Sequence, residues 1–179
     1  MSSHLNEDAV EQAALEILEE LGYKILHGPD IAPDGINPER GSYKELILKE
    51  RLRNALRRIN PDIPELALKE AIKKVSRSES PTLISENQRF HRFLTDGVDV
   101  EYRGSDRIRS GKVWLFDFKN PENNEFLAVN QFTVVEDGHN RRPDILIFVN
   151  GIPLVIFELK NPVDEDATVR TAFNQIETY

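Results

Sequence analysis

The sequence predicts an α/β fold: a mixed central sheet flanked by helices, with a helical insert at about 42–95 and a catalytic core at about 98–179. Three observations carry this. Apolar residues recur at helical spacing through the first 95 positions and again from 165 to the end. From Val98 the chain turns to short runs rich in Val, Phe, Trp and Tyr, separated by polar or Gly/Pro stretches. Two of these runs, 145–149 and 153–159, are apolar on both alternating faces and are joined across Asn150-Gly151. Such strands are usually buried on both sides in the middle of a sheet, and Asn-Gly is a strong hairpin signal.

Each element follows in order. Residues 7–21 read as a helix with Asn6 as N-cap and Gly22 as stop; Val10, Ala14, Ile17, Leu18 and Leu21 would be its buried stripe. Tyr23 to Ile25 begin a short strand, and the Gly/Pro-rich stretch 27–41 is a loop. Ser42 with Glu45 has capping-box spacing, which predicts a helix from about Tyr43 to Ile59, ended by Asn60-Pro61. Pro64 suits the first turn of a third helix carried by Leu68, Ala71, Ile72 and Val75. Ser85 would cap a short helix containing Phe90, Phe93 and Leu94. Strands are expected at 98–103, 112–118, 126–135, 145–149 and 153–159, and a last helix at 165–179 with Val169, Ala172, Phe173 and Ile176. The chain stops at Tyr179 with no helix-stop signal, which reads as the end of a fragment.

Composition narrows the function. A chain of 179 residues is one ordinary domain and should bury roughly 70% of its unfolded surface, so it folds without staples. It has no cysteine, hence no thiolate zinc site and no cysteine nucleophile. No run of about 20 apolar residues spans a membrane and no signal peptide precedes the fold, so a cytoplasmic protein is the default. The net charge is −8, so nucleic-acid binding would need local basic patches and metal ions.

The informative stretch is Arg141-Arg142-Pro143-Asp144, the hairpin, then Phe157-Glu158-Leu159-Lys160. Charges in otherwise apolar strands are costly unless paired or metal-bound. Glu158 and Lys160 are two apart and share a strand face. A strict two-residue loop would put Asp144 opposite Phe157 and turn it away from Glu158. Cooperation between the carboxylates therefore predicts a longer loop, a bulge, or a bend near Asp144. Two converging carboxylates suit Mg²⁺, which can polarise a phosphoryl oxygen and acidify a bound water, while a neighbouring lysine steadies that water or phosphate charge. The same spacing also suits an ordinary Glu158–Lys160 ion pair with Asp144 capping a turn.

The run from Arg142-Pro143-Asp144 through Glu158-Leu159-Lys160-Asn161-Pro162 resembles the nuclease region of the motor (R, or HsdR) subunit of type I restriction enzymes, in the RecB-like branch of the PD-(D/E)XK nuclease superfamily. Gln175-Ile176-Glu177-Thr178-Tyr179 is similar to the Gln-X-X-X-Tyr motif that follows in this family, and Asn130-Gln131-Phe132 and Glu11…Leu21-Gly22-Tyr23 also fit its pattern. The resemblance covers most of the chain and is weakest over 36–85. It implies a restriction-endonuclease-like fold and a type I site-specific deoxyribonuclease that cuts double-stranded DNA with Mg²⁺ (Mn²⁺ as substitute), leaving 3′-hydroxyl and 5′-phosphate ends. Asp144 and Glu158 would bind the metal, with the Leu159 carbonyl. Lys160 would position or activate the attacking water, and Gln175 and Tyr179 would line the DNA-facing side. Glu11 would add a supporting carboxylate, a reading that stands beside that of a solvated helix-face glutamate.

The family's R subunit also carries an ATP-driven translocase and works with methyltransferase and specificity subunits. This chain has no Gly-X-X-X-X-Gly-Lys-Ser/Thr loop, so ATP would belong to a longer polypeptide only. Arg141 and Arg142 stand beside the site and one of them would contact phosphate. Arg51, Arg53, Arg57 and Arg58 would touch DNA backbone or form a solvated helix face. The alternatives are a stand-alone RecB-like repair or mobile-element nuclease, and a docking module that keeps the fold without catalysis.

Overall fold

The computed structural model describes residues 7–103, 107–136, 138–160 and 168–178. The expected cap Asn6 and the expected site residue Tyr179 lie outside the described residues. In chain order the elements are α1 (Glu7–Glu20), β1 (Lys24–His27), α2 (Lys49–Ile59), α3 (Glu65–Val75), α4 (Leu83–Asp96), β2 (Val98–Arg103) and β3 (Ile108–Val113). They continue with β4 (Phe126–Asn130), β5 (Val134–Glu136), β6 (His139–Arg141), β7 (Ile145–Val149), β8 (Ile152–Phe157) and α5 (Val169–Ile176). The fold is mixed α/β. The chain divides into two compact units, Met1–Leu46 with Phe126–Phe148 and Pro153–Tyr179, and Ile47–Glu125 with Val149–Ile152.

The first unit is built on a four-stranded sheet of order β1-β4-β7-β8. β1 runs parallel to β4, with Lys24 opposite Leu127 and His27 opposite Asn130. β7 and β8 form a hairpin, so the sheet is mixed. α1 packs Leu15 and Leu18 against Ala128, Ile145 and Ile147. Its buried stripe is rotated from the expected one: Ile17 and Leu21 are 59% and 70% exposed. The inward positions are 10, 11, 14, 15 and 18, so Val10, Ala14 and Leu18 face in as expected while Glu11 and Leu15 take the places of Ile17 and Leu21 on the core side of the helix. Gly22, at φ 92, ends α1 as expected, and Tyr23 donates its N–H back to the Leu18 carbonyl.

Two expected strands change here. The run 126–135 is cut into β4 and β5 by Gln131, which has a left-handed φ of 54. β5 then pairs antiparallel with β6, a short strand that the sequence did not announce. β7 is buried as expected, but β8 is the last strand of the sheet, and Leu154 to Phe157 are between 37% and 46% exposed. A run that is apolar on both faces does not reveal how many neighbours a strand will have.

In the second unit α2 and α3 bury Leu52, Leu56, Ala67, Leu68, Ala71 and Val75 against Val98, Val100 and Val113 of the antiparallel β2–β3 pair. α2 begins at Lys49, not Tyr43. Ser42 and Glu45 do cap, but locally: Glu45 accepts from the Gly41 N–H at 2.9 Å and Ser42 from the Lys44 N–H at 3.3 Å. The Leu48 N–H is committed to the Gly151 carbonyl at 2.9 Å, so the helix starts only beyond it. α4 is longer than expected because Thr82, not Ser85, is its cap; Thr82 accepts from the Ser85 N–H. The strand expected at 112–118 lies at 108–113. After Val113 the Asn60 side chain replaces the ladder, accepting from the Trp114 N–H at 2.8 Å and donating to its carbonyl at 2.9 Å. Among the described residues no helix is long and apolar enough to cross a membrane.

Candidate active site

The β7–β8 hairpin turns on two residues, Asn150 and Gly151, both at positive φ (54 and 79), as tight hairpins of this twist require. No residue is added to the loop. The deviation is at the other end: Asp144 is a bend residue just before β7, and β8 ends at Phe157, just before Glu158. Pro143 prepares the bend, since it fixes its own φ and holds the preceding residue extended. The bend is then locked. The Asp144 carbonyl accepts the Gln131 N–H at 3.0 Å, and its Oδ2 accepts the Leu159 N–H at 2.6 Å.

Glu158 has a side chain only 1% exposed, and its Oε1 lies 3.0 Å from Lys160 Nζ. Lys160 Nζ donates a second bond, at 2.8 Å, to Gln175 Oε1 on α5. One ammonium thus ties the end of β8 to the last helix. α5 is itself set by a capping box between Thr168 and Thr171. Leu159, between the two charged residues, packs its side chain against the cluster under α1. That alternation is why Glu158 and Lys160 emerge together on the other side.

Glu11 reaches the same place from α1. Its Oε1 accepts from Asn130 Nδ2 at 2.7 Å and its Oε2 from Gln131 Nε2 at 2.6 Å. Asp144, Glu158, Lys160, Gln175, Glu11 and Arg142 all line one cleft of about 630 Å³, together with Glu7, Asp8, Gln12, His27, Asn130 and Gln131. Arg141 is not among them; it lines an apolar groove beside β8 instead. The Leu159 N–H is turned to the Asp144 carboxylate.

The cleft is strongly acidic, with Glu7, Asp8, Glu11, Asp144 and Glu158 against Lys160 and Arg142. Burial pushes the Asp144 carboxyl above its ordinary value of 3.8. The Leu159 N–H opposes the rise, the Glu158 and Glu11 carboxylates add to it, and Lys160 opposes it. Such a group gains from an added positive charge, and its neighbours supply carboxylate oxygens and one ammonium, held by Glu158 and Gln175.

The arginines of α2 are engaged within their own unit. Arg51 pairs with Glu125 at 2.6 Å, Arg53 and Arg57 share Glu65 at 2.7 and 2.8 Å, and Arg58 donates to the Asn123 carbonyl. This favours the structural reading of that stripe over DNA contact. Residues the sequence did not single out for the cleft are Glu7, Asp8, Gln12 and His27. Asn130 and Gln131 were legible only through the resemblance, as part of Asn130-Gln131-Phe132 within the expected strand 126–135.

The family described as type I restriction enzyme R protein N terminus matches residues 4–179. The chain is 42% identical over 176 residues to the type I restriction enzyme HindI endonuclease subunit of Haemophilus influenzae, covering 98% of this chain and 17% of that protein. It is 41% identical over 182 residues to the putative type I restriction enzyme MjaIXP endonuclease subunit of Methanocaldococcus jannaschii, covering 99% of this chain and 17% of that protein. A shorter match, 39% over 71 residues, is to the type I restriction enzyme EcoprrI endonuclease subunit of Escherichia coli, covering 40% of this chain and 21% of that protein. The chain spans about a sixth of the length of the first two relatives. With a whole-length family match and two relatives above 40% identity, the chain belongs to the type I restriction enzyme R protein N-terminal family.

Proposed function

We propose that this chain is the Mg²⁺-dependent endonuclease domain of a type I restriction enzyme R subunit, with a restriction-endonuclease-like PD-(D/E)XK fold, acting on double-stranded DNA in the cytoplasm. The observation that carries the reading is the convergence of Asp144, Glu158, Lys160 and Gln175 in one acidic cleft. The donor set fits a hard divalent cation, because Asp144 is half-buried among carboxylates that raise its pKa. Among the described residues no group of three or more His, Asp or Glu side chains is placed to hold a metal ion alone. That also fits Mg²⁺, which commonly keeps several waters and takes substrate oxygens beside one or two carboxylates.

Asp144 and Glu158 would hold the cation. When bound it supplies Lewis-acid polarisation of the scissile phosphoryl group and a more acidic water. Lys160 has two roles open to it from its position. Its ammonium is already shared between Glu158 and Gln175, so it can orient a water beside Glu158 or meet developing phosphate charge. Gln175 keeps Lys160 directed into the cleft, and a DNA-contacting role for Tyr179 rests on the family motif alone. Arg142 is placed to contact a neighbouring phosphate.

Since the chain spans 17% of the length of its relatives, we assign the translocase, its ATP requirement and the contacts with methyltransferase and specificity subunits to the rest of a longer R subunit. The test uses that full complex. Asp144→Ala, Glu158→Ala and Lys160→Ala should each abolish DNA cleavage while ATP hydrolysis continues. Cleavage at the unaltered rate in all three would end the nuclease assignment.

A further inference from the structure

We propose that Asn130 and Gln131 are positioning residues: their two side-chain amides clamp Glu11 as an outer carboxylate of the Asp144 site. The proposal rests on reading the cleft as a divalent-cation site and extends it to residues with no assigned role.

The geometry is directional. His27 Nδ1 lies 3.0 Å from Asn130 Oδ1. An amide oxygen only accepts, so the imidazole donates from Nδ1 and the Asn130 NH₂ end is turned away from His27. That NH₂ end meets Glu11 Oε1 at 2.7 Å, and Gln131 Nε2 meets Oε2 at 2.6 Å. Each carboxylate oxygen has a donor, so the carboxylate plane is fixed although Glu11 sits on a helix more than a hundred residues away in sequence.

Gln131 has a left-handed φ of 54, which a side chain disfavours. That conformation lets one residue tie both acidic residues: its backbone N–H binds the Asp144 main-chain carbonyl at 3.0 Å while its side chain holds the Glu11 carboxylate. Gly28 permits the arrangement, since a Cβ there would lie 2.6 Å from the Gln131 carbonyl oxygen. Glu11 already bears on Asp144, whose carboxyl it helps to raise. Held in this orientation, it adds negative potential for a cation and an acceptor for a cation-bound water, and the Asp144–Glu158 pair keeps the inner contacts.

The test is calorimetric titration of Mn²⁺ alone into the 179-residue chain and four variants, with thermal midpoints recorded for each. Asp144→Ala should abolish binding. Glu11→Gln and Gln131→Leu should each weaken it about tenfold, at the lower end expected for outer partners of metal sites. The double variant should bind no more weakly than Glu11→Gln, because Gln131 acts through Glu11. A purely structural role for Gln131 would lower the midpoint and leave affinity unchanged. Loss of binding in Asp144→Ala with full affinity in Gln131→Leu, or an additive double variant, overturns the clamp and leaves the cation site standing. Should Gln131→Leu not fold, Asn130→Leu removes the other amide and is held to the same outcomes. Mn²⁺ binding unaffected by Asp144→Ala, or absent from the unaltered chain, overturns the cation site and the clamp with it.

Discussion

Asn150 tests what holds the hairpin that carries both carboxylates. Its side chain has 0% exposure at its position in the turn and makes three hydrogen bonds. Oδ1 accepts the Glu125 N–H at 2.8 Å, and Nδ2 donates to the Leu115 carbonyl at 2.8 Å and to Asn124 Oδ1 at 2.9 Å. Its φ of 54 is one that asparagine tolerates better than alanine. Asn150→Ala removes all three bonds and leaves the buried Leu115 carbonyl without this donor. At about 1 kcal/mol net for each bond, the loss is about 3 kcal/mol. The left-handed backbone adds roughly 1 kcal/mol for alanine. Asn150→Gly loses the same bonds but not the steric term, so it should be less destabilising than Asn150→Ala by about 1 kcal/mol. Equilibrium urea unfolding of both variants, followed by circular dichroism, separates these terms provided the denaturant slope is unchanged. A cost below about 1 kcal/mol for alanine, or a glycine variant no better than alanine, would refute the reasoning.

Two further changes act on the site itself. The folded-state pKa of Asp144 lies above 3.8, so the stability linked to its protonated form is full below 3.8 and is lost as pH rises through the raised value. The amide of an Asp144→Asn variant could still accept the Leu159 N–H and has no charge to bury; in chelator its thermal midpoint should match the unaltered protein below pH 3.8 and exceed it at neutral pH. Equal midpoints across the range would exclude burial as the main cause of the shift. Gly28→Ala would set a Cβ 2.6 Å from the Gln131 carbonyl oxygen and 2.7 Å from that of Asn130, all backbone. It should cost about 1–3 kcal/mol in urea unfolding, and a neutral result would show that β1 and β4 separate there easily.

What could be read from the sequence follows the range of the forces involved. α3 and β7 were legible because each is specified locally, by Pro64 and helical spacing in one case and an unbroken apolar run in the other. The start of α2 was not, since a capping signal at Ser42 and Glu45 is outweighed by the bond from the Leu48 N–H to Gly151, far along the chain. The exposure of β8 was hidden for a related reason: strand order is a property of the sheet and not of the strand. In the site, Asp144, Glu158 and Lys160 stood out because charge interrupts apolar strands. Glu11 was legible only by resemblance. Its inward turn depends on which face of α1 the sheet accepts, and the expected stripe left Ile17 and Leu21 inside where the structure exposes them.

The charge balance of the cleft constrains how such a site can meet DNA. Five carboxylates face it, with Lys160 and Arg142 as the opposing cations, and the chain as a whole carries −8. A phosphodiester entering that field is repelled, so the constellation is poorly suited to hold DNA by itself. The same carboxylates attract a divalent ion, whose charge inverts the local potential. Lys160, bonded to both Glu158 and Gln175, is the group best placed to change partners when that inversion occurs. If the proposed cation site holds, affinity for the metal and affinity for the substrate would be coupled in this cleft. On the proposed reading, a duplex would enter the cleft more readily once the cation is in place.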